Sequence, residues 1–529
     1  MSDPPPTPRT EIPKPPATPL ARRLGLLLAP LAALLVYFIL PDAPRLDETT
    51  SELLAAANDE AGLTHAARVV AAVGTLMAIL WITEAIPIPA TALLPLALIP
   101  LLTRGEVGID TVASRYADDL IFLFMGGFML ALAMERWGLH RRIALRTILI
   151  VGVQPLRLIA GFMIASAILS MWVSNTATAV MMLPIALSVI ELVREELRAS
   201  NSPHLPPEGQ PFPFAIALLL GVAYAASIGG VGTLIGTPPN TFLAQYLGET
   251  LGVELSFASW MPIGVPLVVL FLPIAWFVLT RVAFRVRLDA IPGGRALIRD
   301  QLRALGPISK PEIMVMTVFF TTAFLWMLRP WLARLELPSE LAPLAGLSDA
   351  GIAILAAVVL FALPVDWKRG VFVLSWEQAT RLPWGVLILF GGGLALATAI
   401  DHTGVAAWIA NAVAGAESLP APLLVLLVTL MIVFLTELTS NTATTATFLP
   451  ILGAVSVGLD YGPLTLTVPV ALAASCAFMM PVATPPNAIV FASGELTIAQ
   501  MCRAGLILNL IGVALIMLVM YTIVLPFYG

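Results

Sequence analysis

The residues in this chain with the means to do chemistry fall into two phrases. Ser174-Asn175-Thr176-Ala177-Thr178 is followed by Thr237-Pro238-Pro239-Asn240, and Ser440-Asn441-Thr442-Ala443-Thr444 by Thr484-Pro485-Pro486-Asn487. Each phrase is polar within strongly apolar sequence, and neither core holds a lysine or arginine. Ser, Thr and Asn supply neutral donors and acceptors. A proline pair removes backbone donors and turns the preceding residue out of helical geometry. Carbonyls freed near Gly236 and Ala483 then become ligands for a small hard cation, and helix ends at the breaks suit an anion. A serine nucleophile would need a paired base or metal ligands, and neither core offers Lys, His or an HExxH pattern. The pattern is that of a binding site, not a reaction centre.

One such phrase alone reads as an ordinary helix cap; two at matched spacing, each with its proline pair, read as the halves of one site. An anion held there must be neutralised by dipoles, neutral donors and co-bound cations. Proton coupling would call for an intramembrane Asp/Glu/His relay. Glu437 is the only charged residue close to either tip, and Met171 stands there in the first copy. Sodium is therefore the expected coupling ion, and Glu437 is expected to bond freed N–H groups.

The elements that position these phrases must cross a membrane. The chain has 529 residues, of which 59% are hydrophobic and 12% charged, with a mean hydropathy of +0.93. Soluble domains carry roughly 25% charged residues, so this is a polytopic, all-α membrane protein. The net charge of −5 says little about it. Cys476 and Cys502 imply packing, not a disulfide framework. His65, His140, His204 and His402 lack metal spacing and are expected to be solvated. Residues 1–21, proline-rich and without a cleavage pattern, read as a disordered cytoplasmic tail.

About 20 apolar residues span the hydrocarbon core, and eleven spans are expected with two re-entrant helical hairpins. Residues 22–65 hold the first span and an external loop. Repeat 1 covers 66–286, with hairpin 1 at 158–198 and a broken helix at 214–247. An amphipathic cytoplasmic linker, 287–310, expected to lie on the cytoplasmic leaflet, leads to repeat 2 over 311–529, with hairpin 2 at 421–458 and a broken helix at 464–493. Gly126-Gly127 and Gly391–Gly393 read as packing glycines.

The repeat has a register. Gly127 to Gly393, Glu135 to Asp401, Gly138 to Gly404 and Ser174 to Ser440 are each separated by 266 residues. The proline pairs are separated by 247, and the insert around Asn201–Pro213 accounts for most of the difference. Basic residues favour cytoplasmic loops, and there is no Lys or Arg between Arg381 and Arg503. The first hairpin therefore enters from the cytoplasm and the second from outside, an inverted-topology repeat with its site at the midplane. The N-terminus is expected inside and the C-terminus outside the plasma (inner) membrane.

The paired SNT and TPPN motifs resemble the divalent anion:sodium symporter family, the INDY-type carriers of dicarboxylates, citrate and sulfate. The resemblance covers nearly all the chain after the tail. It implies a homodimer whose subunits each have a scaffold domain and an elevator-like transport domain carrying both hairpins. It places one Na⁺ at Ser170, Ser174, Asn175 and the Gly236 carbonyl region, and another at Thr436, Thr439, Asn441 and the Ala483 region. Substrate carboxylates would meet Asn175, Thr176, Asn441 and Thr442, with Thr484 and Pro485 nearby. The function expected is Na⁺-coupled symport of a small dianion, a C4-dicarboxylate such as succinate, with a sodium-independent exchanger or a sulfate or citrate carrier as alternatives. No enzymatic activity, organic cofactor or nucleic-acid partner is expected; the surroundings are the lipid bilayer.

Overall fold

A computed structural model describes residues 19–42, 62–199, 210–288, 293–332, 347–414 and 420–528. Most of the expected tail, much of the external loop after the first span and most of the polar insert lie outside these residues. Among the described residues, nine helices are long and apolar enough to cross a membrane, and further apolar helices are shorter. The only strands described are a two-stranded antiparallel pair, β1 (Pro364–Asp366) and β2 (Val371–Phe372). The chain is an all-α polytopic membrane protein.

The first half opens with α1 (Pro19–Ile39), α2 (His65–Thr83), α3 (Leu94–Leu102) and α4 (Asp119–Arg136). Helix α1 therefore starts inside the stretch expected to be tail. Then come α5 (Leu139–Val151), α6 (Pro155–Ser170), α7 (Asn175–Ala199), α8 (Pro213–Gly230), α9 (Pro238–Leu251) and α10 (Phe257–Phe277). After α11 (Gly294–Ala304) the plan recurs as α12 (Lys310–Leu332), α13 (Asp349–Ala362), α14 (Trp384–His402) and α15 (Val405–Ala414). It finishes with α16 (Ala421–Thr436), α17 (Asn441–Gly458), α18 (Leu464–Ala474), α19 (Pro485–Phe491) and α20 (Ile498–Val519).

Two faces of these helices have different fates. Phe320, Phe324, Met327 and Trp331 form an exposed stripe on α12, at the i, i+4, i+7, i+11 spacing of one helix side. Such a stripe belongs in hydrocarbon. Helix α8, by contrast, is buried all round, as befits the centre of a bundle. The glycine clusters let helices touch: a Cβ on Gly126 would stand 2.5 Å from the Ala353 carbonyl carbon of α13. Gly391, Gly392 and Gly393 of α14 lie against Tyr116, Ala92 and Phe242.

Helices α5 and α15 are not among the expected elements. Each starts after a glycine in the left-handed region, Gly138 (φ 70°) and Gly404 (φ 77°), and their first residues, 139 and 405, keep the 266 offset. Both α10 and α20 run on into π-helical turns, Val278–Ala283 and Met520–Val524. The twofold plan thus extends beyond the four motifs.

Three expectations need correction. His65 is not solvated: its ring nitrogens lie 3.0 Å from Tyr37 Oη and 3.0 Å from the Leu102 carbonyl. His140 Nδ1 likewise meets the Met134 carbonyl at 3.0 Å. The amphipathic linker helix α11 turns its apolar side to protein instead of lipid, burying Ile298 where it packs on α5 and α7. A buried ion pair fixes the end of that linker. Arg142 of α5 meets Glu312 of α12 at 2.6 and 3.1 Å, and also donates to the carbonyls of Leu305, Gly306 and Pro307.

Gly126→Val should push α4 from α13 at an overpacking cost of about 1–3 kcal/mol, read as a lower melting temperature in detergent; an unchanged melt would disprove the contact. Arg142→Ala should cost about 3–5 kcal/mol by stranding the Glu312 charge. Adding Glu312→Ala should recover part of that loss in a double-mutant cycle.

Candidate functional site

Helix α6 ends at Ser170 and α7 begins at Asn175. The Ser170 hydroxyl donates to Asn175 Oδ1 across the break. Asn175 Oδ1 lies 2.7 Å, and the Gly236 carbonyl oxygen 3.0 Å, from where a Cβ would sit on Gly230. Only glycine fits at 230, and its absent side chain lets amide oxygen, hydroxyl and backbone carbonyl gather at one place. Ser174 does something different, since its Oγ accepts from the Ala177 amide at 3.2 Å and so caps α7. Thr176 is exposed at the tip.

The second half repeats the hydroxyl–asparagine pair at the 266 offset. Thr436 ends α16 and Asn441 begins α17, and Thr436 Oγ1 lies 2.8 Å from Asn441 Oδ1. The same hydroxyl lies 3.0 Å from the carbonyl of Ala474, where α18 ends. Thr439 is turned along its own backbone, to the Leu435 carbonyl at 2.9 Å and Thr444 Oγ1 at 2.6 Å. Asn441 and Thr442 are half-buried. Ala483 is buried in the unwound stretch, Thr484 Oγ1 caps the Asn487 amide at 3.3 Å, and Pro485 is exposed.

The asparagines that close the TPPN motifs turn out to be staples. Asn240 Nδ2 reaches the carbonyls of Gly230, Val231 and Thr233 at 3.3, 3.1 and 2.8 Å. Asn487 Nδ2 reaches those of Ala477 and Met480 at 3.1 Å each. Residues 230 and 477, 233 and 480, and 240 and 487 all keep the 247 offset. Each amide binds carbonyls that the break has taken from helix pairing. Both asparagines are fully buried, and their Oδ1 atoms have no partner among the described residues.

The halves differ most at Glu437, whose counterpart is Met171. Glu437, buried just after α16, accepts from the amides of Phe478, Met479 and Met480 at 2.7–3.0 Å and from Asn509 Nδ2 at 2.7 Å. The expected bonding to freed N–H groups is what the geometry has. In the first half the corresponding Val231 and Gly232 amides bond back to Ile228 and Gly229 within a turn, while Thr233 Oγ1 bonds the Met171 carbonyl. Sequence reasoning missed Gly230, Ala474 and Asn509. Asn509 carried a signal: an amide in the middle of the apolar run of helix α20.

The helices that carry the four motifs cross between the halves. Helix α7 packs on α19 of the other half, and α17 packs on α9. Arg194 of α7 makes a two-pronged pair with Glu495, beyond α19, at 2.8 and 2.6 Å. Among the described residues, the motif side chains bond to hydroxyls, amides and backbone groups, and none to a lysine, arginine or histidine. Oxygen donors of this kind suit a small hard cation, and the N-terminal ends of α7 and α17 carry partial positive charge.

Residues 23–527 match the family described as the sodium:sulfate symporter transmembrane region. A sodium-dependent dicarboxylate transporter, SdcS, of Staphylococcus saprophyticus is 43% identical over 85% of this chain and 84% of its own length. The SdcS protein of Staphylococcus aureus strain USA300 is 44% identical over 83% of each. Two transporter structures share the fold. The Alcanivorax borkumensis YdaH transporter has a TM-score of 0.53 at 15% identity, covering 96% of this chain and 98% of its own. Neisseria gonorrhoeae MtrF has a TM-score of 0.55 at 12% identity, covering 94% of each chain. With the family match spanning nearly its whole length and both motif pairs in place, the chain belongs to the sodium:sulfate symporter family, the divalent anion:sodium symporters.

Proposed function

We propose that this protein couples Na⁺ to the uptake of a small dianion, a C4-dicarboxylate such as succinate. The observation that carries this reading is the doubled hydroxyl-on-asparagine pair, Ser170–Asn175 and Thr436–Asn441, each with a backbone carbonyl close by, Gly236 in the first half and the non-equivalent Ala474 in the second. Sodium is a substrate here, one ion beside each asparagine. When an ion enters, the hydroxyl gives up its bond to the amide oxygen and turns a lone pair inward. The dianion then meets Asn175, Thr176, Asn441 and Thr442 at the ends of α7 and α17, with Thr484 and Pro485 nearby. A site without cationic side chains binds a dianion poorly until the sodium ions arrive, and that dependence is the coupling. Ser174 and Thr439, held by local bonds, contribute through the shape of the tips. The name of the S. saprophyticus relative supports both sodium and dicarboxylate.

The same reading makes α6–α7 and α16–α17 re-entrant hairpins from opposite faces of the plasma membrane, with the N-terminus inside and the C-terminus outside. The crossed hairpins and broken helices move together as the transport body of an elevator, within a homodimer. Glu437 serves as a fixed acceptor for the second break and carries no proton across.

Succinate uptake into proteoliposomes should require an inward sodium gradient and stop in choline medium; full uptake in choline would sink the coupling. Asn175→Ala and Asn441→Ala should each lower uptake about tenfold or more, the scale of a lost bond to a charged group, with unchanged melting in detergent. Excess citrate and sulfate should compete weakly against labelled succinate, and stronger competition by either would reassign the dianion. Glu437→Gln should lower the melting temperature, reflecting roughly 1–3 kcal/mol for stranded backbone donors, while residual uptake keeps its sodium dependence. Unaltered melting with a changed pH profile would make Glu437 a proton carrier instead.

A further inference from the structure

Away from the motifs, a cavity of about 410 Å³ opens between α5, α11 and the turn before α12. Arg142, Arg146, Arg299 and Arg303 all line it, together with Leu302 and Ile308. The four cations are not equivalent. Arg142 is neutralised by Glu312 and spends its remaining donors on the carbonyls of Leu305, Gly306 and Pro307. It forms the floor and holds the turn that makes one wall. Arg303 pairs with Asp300 at 3.2 Å, but both are largely exposed, and such pairs contribute little. Arg146 and Arg299 are exposed and have no acidic partner among the described residues.

Guanidinium groups gathered on one cavity repel one another unless an anion lies between them. Their planar forks suit a phosphate, which accepts two parallel bonds from each. The surroundings say which phosphate. Ile150, one helical turn beyond Arg146 on the same side of α5, is 84% exposed. Leu302 and Ile308 add apolar surface inside the cavity, and Ile313 of α12 is exposed just past the turn. Charge beside exposed apolar surface is the arrangement a phospholipid head and its acyl chains require, and basic pockets between helices at a membrane surface take anionic headgroups. We propose that this cavity binds a phosphate-bearing anion through Arg146 and Arg299, supplied by an anionic phospholipid such as phosphatidylglycerol.

The test uses full-length protein stripped of lipid in neutral detergent, with phosphatidylglycerol and phosphatidylcholine counted on it by native mass spectrometry. Wild type should retain phosphatidylglycerol in preference to phosphatidylcholine. The double variant Arg146→Ala/Arg299→Ala should bind it about tenfold more weakly or worse. Arg295→Ala, on α11 but outside the cavity, should bind as wild type does. The single variant Arg299→Ala, at an exposed position, gives the same readout if the double variant does not fold. Excess inorganic phosphate should leave the lipid in place; displacement would reassign the site to a soluble phosphate and overturn the lipid source. Equal retention of phosphatidylglycerol by wild type and the arginine variants, or of both lipids by wild type, would overturn the site itself.

Discussion

Backbone that leaves its helix inside a bilayer has no water to bond, and each abandoned group costs several kcal/mol there. This constraint governs the centre of the protein. Two broken helices place a run of carbonyls and amides at membrane depth, and almost every neighbouring feature satisfies them. Asn240 and Asn487 collect carbonyls with their amide groups. Trp260 Nε1 takes the Val231 carbonyl at 2.8 Å, and Thr241 takes that of Leu234 at 2.8 Å. Ser170 with Asn175, and Thr436 with Asn441, bond each other across the breaks.

The two halves meet the same demand by different means. In the first, glycines let the chain coil tightly enough to bond itself, with Met171 and Thr233 alongside. In the second, a carboxylate gathers three successive amides and an asparagine. A buried charge is expensive unless fully bonded, and Glu437 has four donors around it. The second break is therefore held by a stronger but less adaptable clasp. The chief difference is at one repeat-related position, Met171 against Glu437, with Thr233 and Asn509 each serving one half alone.

Much of this was readable in the residues because broken helices in membranes require special composition. Proline pairs located the breaks, and α8 to α9 and α18 to α19 are interrupted there. The SNT phrases located the helix starts at Asn175 and Asn441. What stayed hidden was which partner each polar group would choose. Ser174 and Ser170 look alike in sequence, yet one caps its own helix and the other reaches the amide. Gly230 and Ala474 are plain residues whose part depends on where the chain returns. Linker helix α11 was misread because its amphipathic pattern fits a lipid surface and a protein surface equally well, and only its packing on α5 and α7 separates them.

The reciprocal crossing of α7 on α19 and α17 on α9 bears on how the chain is born. A ribosome delivers α7 and α9 long before α17 and α19 exist, so their crossing faces stay uncovered while the second half is made. Closure is then a late event that needs the C-terminal portion threaded into place.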